Sequence, residues 1–265
     1  MPDWLLPTVA VIAALLAFTA LFFFTFTRGA LILRGIAGAG SDPAAHIYPI
    51  YSDMRLIRLI DFQPIISAIL LFQYGRLVSM IVDGLKRMDL RGKDLLITSC
   101  AFGDVIPRVA GAAAEAGVRE LLIADIVRNE LVHAQGKLPQ LAGRLRCLQE
   151  NAAALSLADG AVAVNVLFFL LHELPHPLKA QVLREAVRLL EPGGKLYVAE
   201  FHRPRLWVLR ALSWTYFKVF EPYGLALWDS HDPLKQLAAM GGLRCRRHTV
   251  FFGNFQVIEA TKVND

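Results

Sequence analysis

The sequence predicts an α/β protein: a doubly wound, mostly parallel sheet preceded by an N-terminal transmembrane helix and a helical cap. Three observations predict it. From residue 94 onward, short apolar runs alternate with segments of helical spacing, the pattern of parallel strands joined by crossover helices. Leu5 to Phe26 carries no charge over 22 residues. Apolar residues make up 55% of the chain and charged residues 19%, against about 45–50% and 25% in average soluble domains, so the surplus needs an apolar environment. The chain of 265 residues has room for one anchor and one domain.

The uncharged run comes first. As a helix it spans about 33 Å, enough for a hydrocarbon core of about 30 Å. Pro7 falls in its first turn, where proline is tolerated. Arg28 and Arg34 follow the run, whereas only Asp3 and the amino terminus precede it. The positive-inside rule then turns the rest of the chain to the cytoplasm. A cleaved signal peptide would bring a basic leader and a shorter apolar core. The expectation is a single-pass anchor over residues 1–28 in the inner (cytoplasmic) membrane, with the following domain facing the cytoplasm.

Residues 29–90 read as linker and helical cap. Gly29, Gly35, Gly38 and Gly40 precede Pro43 and mark the linker. Residues 53–88 read as helical, divided at Pro64. Residues 91–265 then hold the sheet. Strands are expected at 94–98, 120–124, 160–167 and 195–200, with a final hairpin strand within 249–260. Helices are expected at 106–116, closed by Gly117, at 127–138, and at 178–190, where Pro192-Gly193-Gly194 stops the helix.

The net charge is +5 and the pI about 9.2. A basic balance serves nucleic acid or anionic lipid. No Lys/Arg-rich run is present and the aromatics lie among aliphatic residues, so no nucleic-acid partner is expected and lipid headgroups are. Cys100, Cys147 and Cys245 are too few and too scattered for a disulfide framework or a CxxC metal site.

In doubly wound sheets, ligands bind at the carboxyl ends of the strands, near the reversal of strand order. The first strand runs into Ser99-Cys100-Ala101-Phe102-Gly103-Asp104, small enough for close backbone approach. Asp125 ends the second strand 22 residues after Gly103, the spacing at which a carboxylate reaches ribose hydroxyls. Glu150 to Gly160 reads as the stretch that closes over an adenine, with Asn151 at the ring and Leu155 and Leu157 nearby. This geometry serves NAD and S-adenosylmethionine (SAM) alike, but no GxGxxG is present.

The order strand–CAFGD–helix, LLIAD, ENAAALSL, NVLFFLLHELP, LLEPGGKLYVAEF resembles class I SAM-dependent methyltransferases from residue 90 to about 260. LLEPGGKL is the most specific piece and HELP the next. The resemblance implies a Rossmann-like class I methyltransferase fold. It places SAM against Cys100, Ala101, Phe102, Gly103, Asp104, Asp125, Ile126, Asn151, Ala152 and Asn165. One departure matters. The family turn is acidic-x-Gly-x-Gly-x-Gly, and the matching positions here are Ile97, Ser99, Ala101 and Gly103. The acid that orients the amino-acid arm of SAM is gone.

The altered turn, the cap segment YPIYSDMRLIRLIDFQPI and the following ILLFQYGRLV are similar to the rhodoquinone biosynthesis family, although Phe102 stands where a tyrosine would match better. That resemblance implies replacement of a ubiquinone methoxy group by an amino group, with SAM as nitrogen donor and a divalent metal such as manganese. Asp104, Asp125, His172 and Glu173 are the hard-donor candidates for the metal, with no spacing that compels a site.

Residues 201–228 interleave three tryptophans, two tyrosines and three phenylalanines with Arg203, Arg205, Arg210 and Lys218. Such a stretch suits a membrane interface or an aromatic lid, here around 203–228, over a lipophilic quinone. Candidate chemical groups are His172, Glu173, His176, Glu200, His202, Tyr216, Glu221, Tyr223 and Asp229. Of these, His172, Glu173 and Tyr223 are expected to be catalytic. His172 and Glu173 follow the fourth strand, where a His serves as a base or a positioning group. Two rival readings remain: a methyltransferase acting on a quinone or another lipid, and a non-catalytic membrane assembly factor with a methyltransferase fold.

Overall fold

The computed structural model describes residues 4–26, 51, 53–141 and 143–263, without the side chains of 22–26 and 65. Helix α1 (Leu5–Phe26) matches the uncharged run. Its side chains through Leu21 are exposed apart from half-buried Leu5. Over the described residues, no helix is long and apolar enough to cross a membrane. The expected linker lies outside the described residues as far as residue 50.

The cap comprises α2 (Met54–Ile60), α3 (Gln63–Ile69) and α4 (Tyr74–Leu85). Asp53 starts α2 by accepting from the Arg55 amide at 2.7 Å, which satisfies one orphan donor of the first turn. Pro64 sits in the first turn of α3, so it opens a helix where the sequence placed a division. A second break, unforeseen, separates α3 from α4, with Leu71 and Phe72 left-handed at φ 51° and 59°. In α4, Leu77, Val78, Ile81 and Leu85 recur at helical spacing and are fully buried.

The sheet contains β1 (Asp94–Thr98), β2 (Glu120–Asp125), β3 (Leu145–Gln149), β4 (Val162–Phe168), β5 (Leu190–Phe201), β6 (Leu243–Val250) and β7 (Phe255–Lys262), ordered β3-β2-β1-β4-β5-β7-β6. β3 through β5 pair in parallel; β7 runs antiparallel to β5, and β6 to β7. Helices α5 (Val105–Glu115), α6 (Arg128–Gly136), α7 (His176–Arg188), α8 (Trp207–Val219) and α9 (Pro233–Ala239) complete the domain. Two apolar clusters form the core, one where α4 and α5 pack on one face of the sheet, the other where α7 packs on the Leu96, Leu122 and Leu196 side chains. Strand order reverses between β1 and β4, which leaves a crevice at their carboxyl ends.

Three expectations are corrected. β3 was not expected: LRCLQ is a sheet edge with only Leu148 buried, too weak an apolar run to signal a strand. Pro192-Gly193-Gly194 lies inside β5, where pairing with β4 shifts register between Val162 and Val164. A Cβ on Gly194 would meet the carbonyls of Glu191 at 2.8 Å and Ala163 at 3.1 Å, so the bulge admits only glycine there. The window 249–260 straddles the turn of a hairpin and contains parts of both β6 and β7.

Candidate active site

A cavity of about 210 Å³ opens at the crevice. Ser99, Cys100, Ala101 and Phe102 form one wall, the backbone turn after β1. Ser99 keeps a left-handed φ of 82°, a region that penalises any residue with a Cβ. Asp125 lies beside this turn. Its carboxylate accepts from the Cys100 amide at 2.7 Å and the Val127 amide at 2.8 Å. Burial raises its pKa and these hydrogen bonds oppose the rise. Ile126, Asn151 and Ala152 continue the wall, so six expected cofactor contacts besides Asp125 do meet at one cavity.

Three do not. Asn165 is fully buried in β4, where Thr98 Oγ1 donates to its Oδ1 at 2.8 Å. Mid-strand in the centre of the sheet, it faces a neighbouring strand's side chain and does not line the cavity. Gly103 turns its amide to the carboxylate of Asp61, from the cap. Asp104 faces Arg108 at 3.8 Å. Neither Gly103 nor Asp104 lines the cavity, because the cap covers this side of the turn. Tyr74 secures the cover: its hydroxyl donates to the Phe102 carbonyl at 3.1 Å and accepts from the Val105 amide at 2.7 Å. Asp61 is further held by His133 and Lys137, each at 2.6 Å. Leu155, expected near the adenine, is buried in the core.

The opposite end of the cavity is aromatic and acidic. Phe169, left-handed at φ 54°, packs edge-on against Phe201 with centroids 5.1 Å apart. Ile66, Ile69, Leu70, Tyr216 and Phe220 add apolar wall. Among them stand His172, Glu173 and Glu221. One ring nitrogen of His172 and one carboxylate oxygen from each glutamate lie within 4.8 Å of one another. His172 Nδ1 faces Glu200 at 3.0 Å, which leaves Nε2 on the side of Glu173, at 3.9 Å. Burial works against a charge on His172, but Glu200, Glu173 and Glu221 outweigh it and raise its pKa to about 9. Glu173 is also raised, by burial first, and accepts from the Tyr51 hydroxyl.

Tyr223, expected to be catalytic, lies outside the cavity, its ring 5.6 Å from that of His176. It sits inside a turn closed by the Gly224 amide on the Glu221 carbonyl at 2.9 Å. His176 starts α7 and stacks on His231 at 5.0 Å. The sequence reading did not single out Tyr51, Asp61, Tyr74 or Glu130. Tyr51 and Asp61 stand in the cap segment already noted; nothing local distinguishes Glu130 from an ordinary polar helix residue.

Residues 65–239 match the ubiE/COQ5 methyltransferase family. The chain belongs to that family. It is 30% identical to a ubiquinone/menaquinone biosynthesis C-methyltransferase of Shewanella sp. (strain ANA-3) over 164 residues, 61% of each chain. It is 31% identical to a demethylmenaquinone methyltransferase of Lactococcus lactis over 141 residues, 52% of this chain and 54% of that one. The chain thus spans about three-fifths of the length of the Shewanella relative. A SAM-dependent methyltransferase from Aquifex aeolicus shares the fold, with a TM-score of 0.55, 17% identity and coverage of 80% of this chain and 99% of that chain. The expected methyltransferase class is therefore borne out, at the level of family and fold.

Proposed function

We propose that this protein is a SAM-dependent transferase that modifies a lipophilic quinone. The observation that carries the reading is the two-ended cavity, with a ribose-type carboxylate, Asp125, beside the β1 turn and an aromatic wall with His172 at the other end. The quinone-acting relatives support the substrate class. In this reading Asp125 holds the ribose hydroxyls, Asn151 and Ala152 flank the adenine, and the ring of the acceptor lies against Phe169, Phe201 and Tyr216. His172, fixed by Glu200 and held protonated by its acidic neighbours, positions the acceptor by donating from Nε2.

A membrane location completes the proposal. The uncharged helix α1, whose apolar side chains are exposed, is the proposed membrane attachment. Trp207, Leu212 and Trp214 on α8 are exposed, as are Phe62 and Phe72 in the cap. Both sets adjoin elements that line the cavity. With Arg203, Arg205, Arg210 and Lys218 nearby in sequence, they form an interfacial rim through which a long-tailed quinone enters sideways.

A second reading, transfer of an amino group from SAM as in rhodoquinone biosynthesis, is favoured by the donor set His172, Glu173 and Glu221. An imidazole with two carboxylates suits a divalent ion such as manganese, and Glu200 on Nδ1 gives the carboxylate–histidine pairing that orients metal-bound imidazoles. Asp104 and Asp125 are not part of this set. A bound ion there would act as a Lewis acid toward a quinone oxygen.

The test uses the detergent-purified protein, SAM carrying ¹³C in its methyl and ¹⁵N in its amino group, and two short-tailed acceptors, a ubiquinone and a reduced quinone with one unsubstituted ring carbon, with and without Mn²⁺. ¹³C in the quinone establishes methylation; ¹⁵N with loss of a methoxy group establishes amino transfer. Absence of any labelled quinone refutes the transferase reading and leaves the non-catalytic assembly factor.

A further inference from the structure

We infer that Glu130 binds the α-amino group of SAM and takes the place of the acid missing from the β1 turn. The inference rests on the SAM reading above. At the position of the family acid stands Ile97, 1% exposed and paired with Ile123 and Val166 inside the sheet. No carboxylate can come from there. Glu130, in the first turn of α6, is 3% exposed and lines the same cavity as Cys100, Asp125 and Val127. Its Oε1 is buried without a hydrogen-bond partner. A buried carboxyl group with an empty acceptor is unfavourable unless something fills it.

The surroundings say what kind of group that is. Asp125 faces Glu130 from the end of β2, Asp61 from between α2 and α3, and Glu173 from the loop after β4. Cys100 faces it from the turn. Lys137, beyond its own helix, is the nearby cation, but its ammonium is already shared between Asp61 at 2.6 Å and the Gly103 carbonyl at 3.0 Å. His133 is likewise directed at Asp61. Burial and then Asp125 raise the Glu130 pKa to about 9, so without ligand the group is held neutral. A cationic ligand group reverses this: it draws off the proton and pairs with the carboxylate. SAM brings an ammonium group on the arm that leads away from its ribose, and Asp125 fixes where the ribose lies.

Isothermal titration of the full-length protein in detergent tests the assignment with two probes. S-adenosylhomocysteine carries the amino-acid arm; methylthioadenosine has the same adenosine and thioether without it. Glu130→Gln is expected to weaken the first at least 10-fold and the second less than 2-fold, whereas Asp125→Ala weakens both. Titrations at pH 7.5 in buffers of different ionisation enthalpy should show release of close to one proton per S-adenosylhomocysteine bound by the wild type and none by Glu130→Gln. Equal effects of Glu130→Gln on the two probes, or no effect on either, overturn the assignment while the SAM reading stands. Failure of the wild type to bind either probe overturns both.

Discussion

Glu130→Gln should make the ligand-free protein more stable, and increasingly so as pH rises. The carboxyl group is 3% exposed, and burial followed by Asp125 moves its pKa from 4.5 to about 9. In the unfolded chain it ionises above pH 4.5. A group whose folded pKa is raised contributes fully below its unfolded pKa, and that contribution is lost as pH climbs toward the folded value. One pKa unit corresponds to about 1.4 kcal/mol, so the loss at pH 7 is about 3 kcal/mol. Glutamine has the same shape and no proton to lose. It breaks no bond at Oε1, which has none. For a domain of this size about 3 kcal/mol corresponds to roughly 6–12 °C in Tm. Thermal melts of both proteins without ligand, from pH 5 to pH 8, check this: a narrow gap at pH 5 should widen steadily toward pH 8. A gap independent of pH, or a variant that melts below the wild type at pH 8, would refute the reasoning.

Other perturbations address the turn, the loop before β4 and the acidic end. Ser99→Gly relieves a left-handed φ of 82° and should stabilise the protein by about 1 kcal/mol, read from urea denaturation; a loss of stability would mean that the serine side chain matters more than the backbone. Arg188 holds the loop before β4 through the Leu157 carbonyl at 2.9 Å and the Leu155 carbonyl at 3.2 Å, its guanidinium fixed by Glu185 of the same helix at 2.7 Å. Arg188→Ala should cost about 2 kcal/mol and speed amide exchange in residues 151–160; unchanged exchange there would show that the loop stands without it. Glu200→Gln removes the carboxylate on His172 Nδ1 and should weaken Mn²⁺ binding about 10–100-fold, measured by electron paramagnetic resonance. Wild-type protein that binds no Mn²⁺ would rule out the proposed donor set.

Much of the sheet was legible because β1, β2 and β4 are nearly or wholly buried along their length, so their sequences are unbroken apolar runs. β3 escaped because an edge strand needs little apolar surface. The bulge in β5 escaped because Pro-Gly-Gly reads as a helix stop, and only pairing with β4 makes it part of a strand. At the site, Asp125, His172 and Glu173 were readable from their place at strand ends. Asn165 was misread because a polar residue three places before the end of a strand can face either the ligand or the sheet, and Thr98 decides for the sheet. Tyr223 and Glu221 are two residues apart, yet only Glu221 reaches the cavity; the turn closed by the Gly224 amide on the Glu221 carbonyl at 2.9 Å is not readable from local spacing. Glu130 becomes visible only once burial and the empty acceptor are known.

The cap explains which glycine of the turn is kept. Of the three family glycine positions, 99, 101 and 103, only Gly103 remains. The conformation at Ser99 is left-handed without a glycine, so backbone freedom alone did not decide retention. Gly103 also has a left-handed φ, 86°, but in addition a Cβ there would lie 2.5 Å from the Tyr74 hydroxyl and 2.9 Å from Gln63 Oε1. Both contacts belong to the cap, and the Gly103 amide is itself taken by Asp61. Retention of this glycine therefore follows from cap docking. The same docking orders the acidic end, because Tyr51, N-terminal to α2, donates to Glu173. Cap and turn thus form one unit: Asp61 pairs with Lys137 and satisfies Gly103, and Tyr74 bridges Phe102 and Val105. The turn has lost its own acid, while the groups around it engage Lys137 elsewhere and leave the buried Glu130 Oε1 without a hydrogen-bond partner.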